Sequence, residues 1–220
     1  MSTLFNPPGG LYAPLIKFTM KLKILITTLF LLLAPSLGFS AISYLVEWDV
    51  RTTGSDDNGG GFKSGASGTD YSQQNSAQLT LTDLATDGAG TGLSSATGGF
   101  TSAMIGNLIN IKSGTGFTTG FYEITAYTDT NNVTIDRSAG ASASAGTGSV
   151  GGALLTIQKA VDSIVGGNTI WVKSGTYTET VTLSSPTAKN GYPKELLGYN
   201  SSHGDEPTGA NRPIIDGSAS

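Results

Sequence analysis

The chemistry-bearing residues of this chain are few and widely scattered. Its single histidine, His203, lies in the segment SSHGDEP with Asp205 and Glu206 close by. A histidine beside carboxylates can move protons or bind a metal when partners converge on it in a pocket. Here Gly204, Pro207 and Gly209 surround it with turn chemistry, so the expectation is a solvent-exposed loop histidine. Asp56 and Asp57, in RTTGSDDNGGGF, could offer oxygen ligands to calcium, but the spaced acids ending in Glu that define a calcium loop are missing, and the run reads as a turn. Trp48, Trp171, Tyr122, Tyr127 and Tyr177 could present aromatic faces to sugar rings. Tyr177 is the candidate sugar contact among them, and Glu179 beside it is expected to face solvent. No GxSxG, phosphate-cradling Gly-Lys-Ser/Thr or HExxH pattern occurs. No residue is therefore assigned as catalytic, cofactor-binding or metal-ligating.

Composition narrows the choice of class. The 220 residues include 31 glycines and no cysteine, and only 13% are charged, about half the usual share. That favours short strands and many turns over helices, and excludes disulfides, thiolate metal sites and a thiol nucleophile. A formal charge of −4 with no basic patch argues against nucleic acid as a partner.

From Met20 the run MKLKILITTLFLLLAPSLGFSA has the order of a secretory signal peptide. Lys21 and Lys23 precede an apolar stretch of 11 residues, Ile24 to Ala34, then Pro35. Gly38 and Ser40 are small residues placed for cleavage between Ser40 and Ala41. The apolar stretch is short of the roughly 20 residues a membrane span needs. Residues 1–19 then read as an over-called start, and 20–40 as the signal. The expected location is secreted or at the cell surface, with membrane contact only through the signal segment. Loss of residues 1–40 removes three lysines and no acid, taking the formal charge to −7.

The elements that must position these side chains are mostly strands. Apolar and β-branched runs predict strands over 42–50, 78–84, 108–112, 121–127 and 133–137, with the polar loop 128–132 joining the last two as a hairpin. Residues 41–137 are thus expected to be a small antiparallel β module. Residues 138–152, SAGASASAGTGSVGG, have too little apolar surface to offset their ordering entropy and read as a flexible linker or surface loop. After it, Ile157, Ala160, Val161 and Ile164 recur at helical spacing behind Thr156 as N-cap, with Gly166 and Gly167 as the stop. Short strands are expected over 169–172, 177–183, 195–199 and 213–216.

The run LLTIQKAVDSIVGGNTIWVKSGTYTETVTL, residues 154–183, resembles the entry of right-handed parallel β-helix proteins of the pectate-lyase-like class, in which a helix caps the solenoid and a strand like TIWVKSGTYTE begins its first coil. RPIIDGS, residues 212–218, is similar to a strand of the next coil. The resemblance implies that 153–220 is a capping helix and the start of a parallel β-helix, with the class's catalytic coils lying further on. The stretch from Trp48 to Gly140 resembles a β module of virion or tail-associated proteins of environmental phages. Together these imply the non-catalytic N-terminal portion of an exported β-helix protein that binds or acts on polysaccharide. The alternative they imply is a structural or adhesive virion component, assembled as a homo-oligomer such as a trimer.

Overall fold

The structure, a computed structural model, describes residues 45–183 and 192–219, all within a unit spanning Ser40–Ser220. The signal segment, the Ser40–Ala41 junction and residues 1–19 lie outside the described residues. Among the described residues twelve strands and one α-helix follow in order: β1 (Val46–Val50), β2 (Gly61–Lys63), β3 (Leu79–Thr86), β4 (Gly92–Ser95), β5 (Leu108–Thr115), β6 (Gly120–Asp129), β7 (Asn132–Ile135), β8 (Ser144–Val150), α1 (Ile157–Ser163), β9 (Thr169–Lys173), β10 (Gly175–Tyr177), β11 (Glu195–Tyr199) and β12 (Pro213–Ile215). Among the described residues no helix is long and apolar enough to cross a membrane.

The antiparallel expectation holds, but the module is larger and closed. Strands β3-β4-β7-β6-β5-β8 form a six-stranded barrel, and closure removes the exposed edges an open sheet would carry. Alternation along the strands fills its interior. Ile109 and Ile111 of β5, with Tyr122 and Ile124 of β6, join Leu81, Leu84, Leu93, Val133, Ile135 and Val150 in one core. The intervening Leu108 and Phe121 face outward into a second core.

The expectation of a linker at 138–152 is corrected by β8. This strand pairs with β3 on one side and β5 on the other, so it is the stave that closes the barrel. Its small residues fit the space left by larger neighbours. A Cβ on Gly146 would lie 2.5 Å from Phe117 Cε2, and one on Gly148 would lie 2.9 Å from Leu84 Cδ1. The ordering entropy is met by two ladders of backbone hydrogen bonds and by side chains donated from other strands, a source that the composition of the segment itself does not reveal.

The boundary placed at the linker moves as well. Neither β1 nor β2 belongs to the barrel. They form a four-stranded sheet in the order β11-β9-β1-β2, with β1 antiparallel to β2 and parallel to β9, and β9 parallel to β11. The barrel is inserted in the connection between the adjacent strands β2 and β9 of this sheet's sequence order. A separate parallel pair joins β10 to β12. The closed element of the fold is therefore an antiparallel barrel and not a parallel β-helix; among the described strands, parallel pairing is confined to these short stacks. The glycine run after Asn58 brings the two parts together. Gly59 N–H donates to Gly151 and Gly60 N–H to Gly152, and a Cβ on Gly59 would sit 2.1 Å from the Leu108 carbonyl oxygen.

The helix forms as its spacing requires. Thr156 caps it, its hydroxyl accepting from Lys159 N–H, and Ile157, Ala160 and Val161 are buried. They pack with Val46, Trp48 and Val50 of β1 and Ile170 and Val172 of β9 in the second core. Each large side chain fully buried there contributes on the order of 1.5–3 kcal/mol. The strand expected over 177–183 ends at Tyr177, because Glu179 turns toward the helix instead.

Filling the space above β8 should disrupt barrel closure. Gly148→Val is expected to lower unfolding free energy by about 1–3 kcal/mol through overpacking. Gly88→Ala, where nothing lies within 4 Å of the new Cβ, should leave it nearly unchanged. Urea unfolding of the two variants checks this, and equal midpoints would contradict the assigned role of β8.

Candidate functional site

Strand β1 has two chemically distinct faces. Val46, Trp48 and Val50 enter the core, while the alternate residues Glu47 and Asp49, followed by Arg51, lie on the opposite face. The parallel register places Asp49 beside Trp171 of β9, and Trp171 beside Leu197 of β11. Tyr199 follows on the same side of β11. The loop after β11 then carries His203 onto this face.

The result is a compact polar network around Asp49, which has no exposed surface. Its carboxylate accepts from Arg51 Nε at 2.7 Å, from the Tyr199 hydroxyl at 2.8 Å and from His203 Nε2 at 2.7 Å. An ionised carboxylate only accepts, so Nε2 carries the hydrogen. The other ring nitrogen, Nδ1, lies 3.6 Å from Glu47 Oε2. The imidazole stacks on Trp171 with centroids 4.7 Å apart and planes 11° from parallel, and meets Tyr199 edge-on at 4.8 Å. Burial alone would lower the His203 pKa, but the Asp49 and Glu47 carboxylates outweigh it and raise the value to about 8. His203 in turn is the main cause holding the Glu47 carboxyl below its ordinary range, against the opposing effect of burial. Burial first, and then Asp49, pushes the Tyr199 hydroxyl well above its usual range, so it stays protonated.

This corrects the expectation for His203. Its side chain is only 12% exposed, and its partners come from β1 rather than from Asp205 or Glu206. Asp205 serves its own loop, accepting from the backbone N–H groups of Asn200, Ser201 and Ser202. With both ring nitrogens directed at carboxylates, His203 is a held cation and not a free base. The available signal was the charged alternation Glu47, Asp49, Arg51 in an otherwise apolar strand. Trp171 Nε1 is buried with no aligned acceptor, although the neighbouring Glu47 carboxylate feels its N–H dipole.

Of the other candidates, Tyr177 and Glu179 are placed differently from expectation, while Asp56 and Asp57 lie in the expected turn and Trp48 and Tyr122 are core residues. Tyr177 is 3% exposed and its hydroxyl donates to the carbonyls of Val50 and Lys173, which leaves no face for a sugar. Glu179 is not a solvent-facing group: its two oxygens accept from Ile157 N–H at 2.8 Å and Gln158 N–H at 2.9 Å, meeting unpaired amides at the start of α1. Asp56 uses Oδ1 for the N–H groups of Leu155 and Thr156 and Oδ2 for the Thr156 hydroxyl, while Asp57 pairs with Lys112 at 3.2 Å on the surface. Trp48 is fully buried and packs edge-on against Phe121. Tyr122 lies in the barrel core with Arg137 above its ring. Tyr127 remains partly exposed.

A polar cleft of about 630 Å³ runs between α1 and the β5–β6 side of the barrel. Asp57, Lys112, Phe121, Arg137, Lys159 and Asp162 line it. With Asp56, which also lines it, the cleft carries three acidic and three basic side chains, and Lys159 Nζ lies over the Phe121 ring at 5.4 Å from its centroid. Such a lining offers many donors and acceptors to a hydroxyl-rich ligand without selecting strongly for charge.

No protein-family model, curated protein or solved structure matches this chain.

The two neighbouring aspartates make a direct test of these roles. Asp56→Ala strands two amides and a hydroxyl and should cost about 1–3 kcal/mol, whereas Asp57→Ala removes only an exposed ion pair and should cost less than about 1 kcal/mol. Calcium should not raise the melting temperature, because the Asp56 oxygens are committed to the helix start. Thermal unfolding with and without calcium reads all three outcomes.

Proposed function

We propose that this chain is a non-catalytic opening segment of an exported parallel β-solenoid, seeding and capping the stack and contributing to polysaccharide binding. The observation that carries the reading is the pairing of β9 with β11 and of β10 with β12, in which successive segments of chain lie in parallel register one above the other. That is the arrangement of two tiers of a stack. Helix α1 and the strand β1 cover one end of the tiers through the second core.

The other end is apolar and open. Leu196, Leu197, Ile214 and Ile215 are each at least 39% exposed. A groove of about 180 Å³, lined by Ile157, Val172 and residues of β11 and β12, continues the core to the surface. Among the described residues β11 pairs only with β9, and β12 only with β10, an arrangement whose outer ladder groups are of the kind that recruit another strand. The resemblance of residues 154–183 to the entry of pectate-lyase-like β-helices supports the same reading. A binding role is favoured over catalysis because the one histidine is engaged on both nitrogens. The charge-balanced cleft beside α1 is the place where a glycan segment fits.

Light scattering of the chain tests the first part. Association is expected, and Leu196→Glu with Ile214→Glu should abolish it; a strict monomer with or without the substitutions would argue against an open tier. Calorimetry against a panel of neutral and acidic polysaccharides tests the second. Binding weakened about tenfold or more by Lys159→Ala combined with Asp162→Ala is expected. A discrete trimer that binds no glycan would instead favour the adhesive, virion-type role.

A further inference from the structure

The loop between β11 and β12, residues 200–212, lies across the outer face of the parallel sheet. Of the hydrogen bonds and ion pairs made by side chains of residues 201–212, those of His203 reach β1. Its neighbours within the loop are satisfied locally, with Asp205 accepting from three backbone N–H groups and Arg212 donating to the Pro207 carbonyl. The loop is therefore internally shaped, and its side chains fasten it outward at the His203 imidazole and, at its first residue, through Asn200 Oδ1, which accepts from the Ser174 hydroxyl. We propose that His203 is a protonation-operated latch that fastens this loop, and with it the second tier of strands, onto β1, and that its deprotonation releases the loop and uncovers Trp171 and Tyr199.

The geometry is that of a receptor for a planar cation. Asp49 and Glu47 flank the two ring nitrogens, Trp171 supplies a parallel face and Tyr199 an edge. Other charged groups acting on the ring come from elsewhere. Asp70, in the segment after β2, adds a favourable field, and Asp205 of the loop is coupled to the ring as well. Arg51 opposes the imidazolium but is bound to Asp49 at 2.7 Å. Tyr199 remains neutral through the accessible range. The carboxylates outnumber the one arginine, so the site favours a charged ring.

The direction of the pH response follows from linkage. The folded value of about 8 exceeds the ordinary 6.5. The stabilisation is thus complete below about pH 6.5 and is lost as pH rises through about 8. The same difference corresponds to a latch on the order of thirtyfold tighter when charged.

Because His203 is the chain's one histidine, the imidazole Cε1–H signal in proton NMR reports on it alone. A midpoint near 8 is expected, moving toward 6.5 in Asp49→Asn and part of the way in the milder Glu47→Gln. Over the same pH range, amide exchange in residues 200–212, corrected for intrinsic base catalysis, should rise on the order of thirtyfold. Quenching of tryptophan fluorescence should increase with it, through Trp171 and not the fully buried Trp48. His203→Gln should give the open behaviour at every pH. A midpoint at or below 6.5, or loop exchange that neither pH nor His203→Gln alters, would overturn the proposal. Glu47→Gln keeps the test valid if Asp49→Asn does not fold.

Discussion

A carboxylate with no exposed surface must have its charge met from inside the protein, and the outer face of the parallel sheet is organised around that requirement at Asp49. An unpaired buried charge would cost several kcal/mol. Arg51, Tyr199 and His203 meet it from three places in the chain. Arg51 does so locally, but Tyr199 and His203 can do so only if β1, β9 and β11 hold their parallel register, since both reach Asp49 from the far side of β9. The network thus ties the second tier of strands to the first. It also ties residues about 150 positions apart in the chain, so its formation depends on the long connection through the barrel being correctly folded.

A second pair of carboxylates performs a related task at the other face. Asp56 and Glu179 converge on the start of α1 from opposite directions in sequence and take up the backbone N–H groups of residues 155–158. A helix of seven residues has too few internal hydrogen bonds to persist alone. Its apolar stripe and these two caps hold it against the core. Both aspartate and glutamate are consequently structural, which removes them from any catalytic or metal role while leaving the neighbouring cleft between α1 and the barrel open to a ligand.

The barrel closes without long hydrophobic strands of its own everywhere. Strand β8 is made of Ser, Ala, Thr and Gly before Val150, and it survives because Leu84, Phe117 and Ile109 fill the volume its side chains do not. This is complementarity between large and small positions on facing strands. It explains how a segment with the composition of a linker becomes the stave on which closure depends.

What the sequence determined by itself is local. The spacing Ile157, Ala160, Val161, Ile164 behind Thr156 specified a capped amphipathic helix; apolar and β-branched runs specified most strands, with 195–199 matching β11 from end to end, and the shortage of charge with abundant Gly and Thr specified a mostly β chain. Tertiary structure decided everything that depends on a distant partner. A period of two shows that Glu47, Asp49 and Arg51 share a face, but not that His203 will lie on it, because nothing local encodes a contact across 154 residues. Turn residues around His203 indicated a loop correctly and said nothing of where the loop packs. Tyr177 and Glu179 carry the same side chains in a binding site as in a core or a cap, and β8 has no apolar pattern to read. Burial, pairing and closure are properties of the assembled strands, and the side chains that supply them to one segment belong to others.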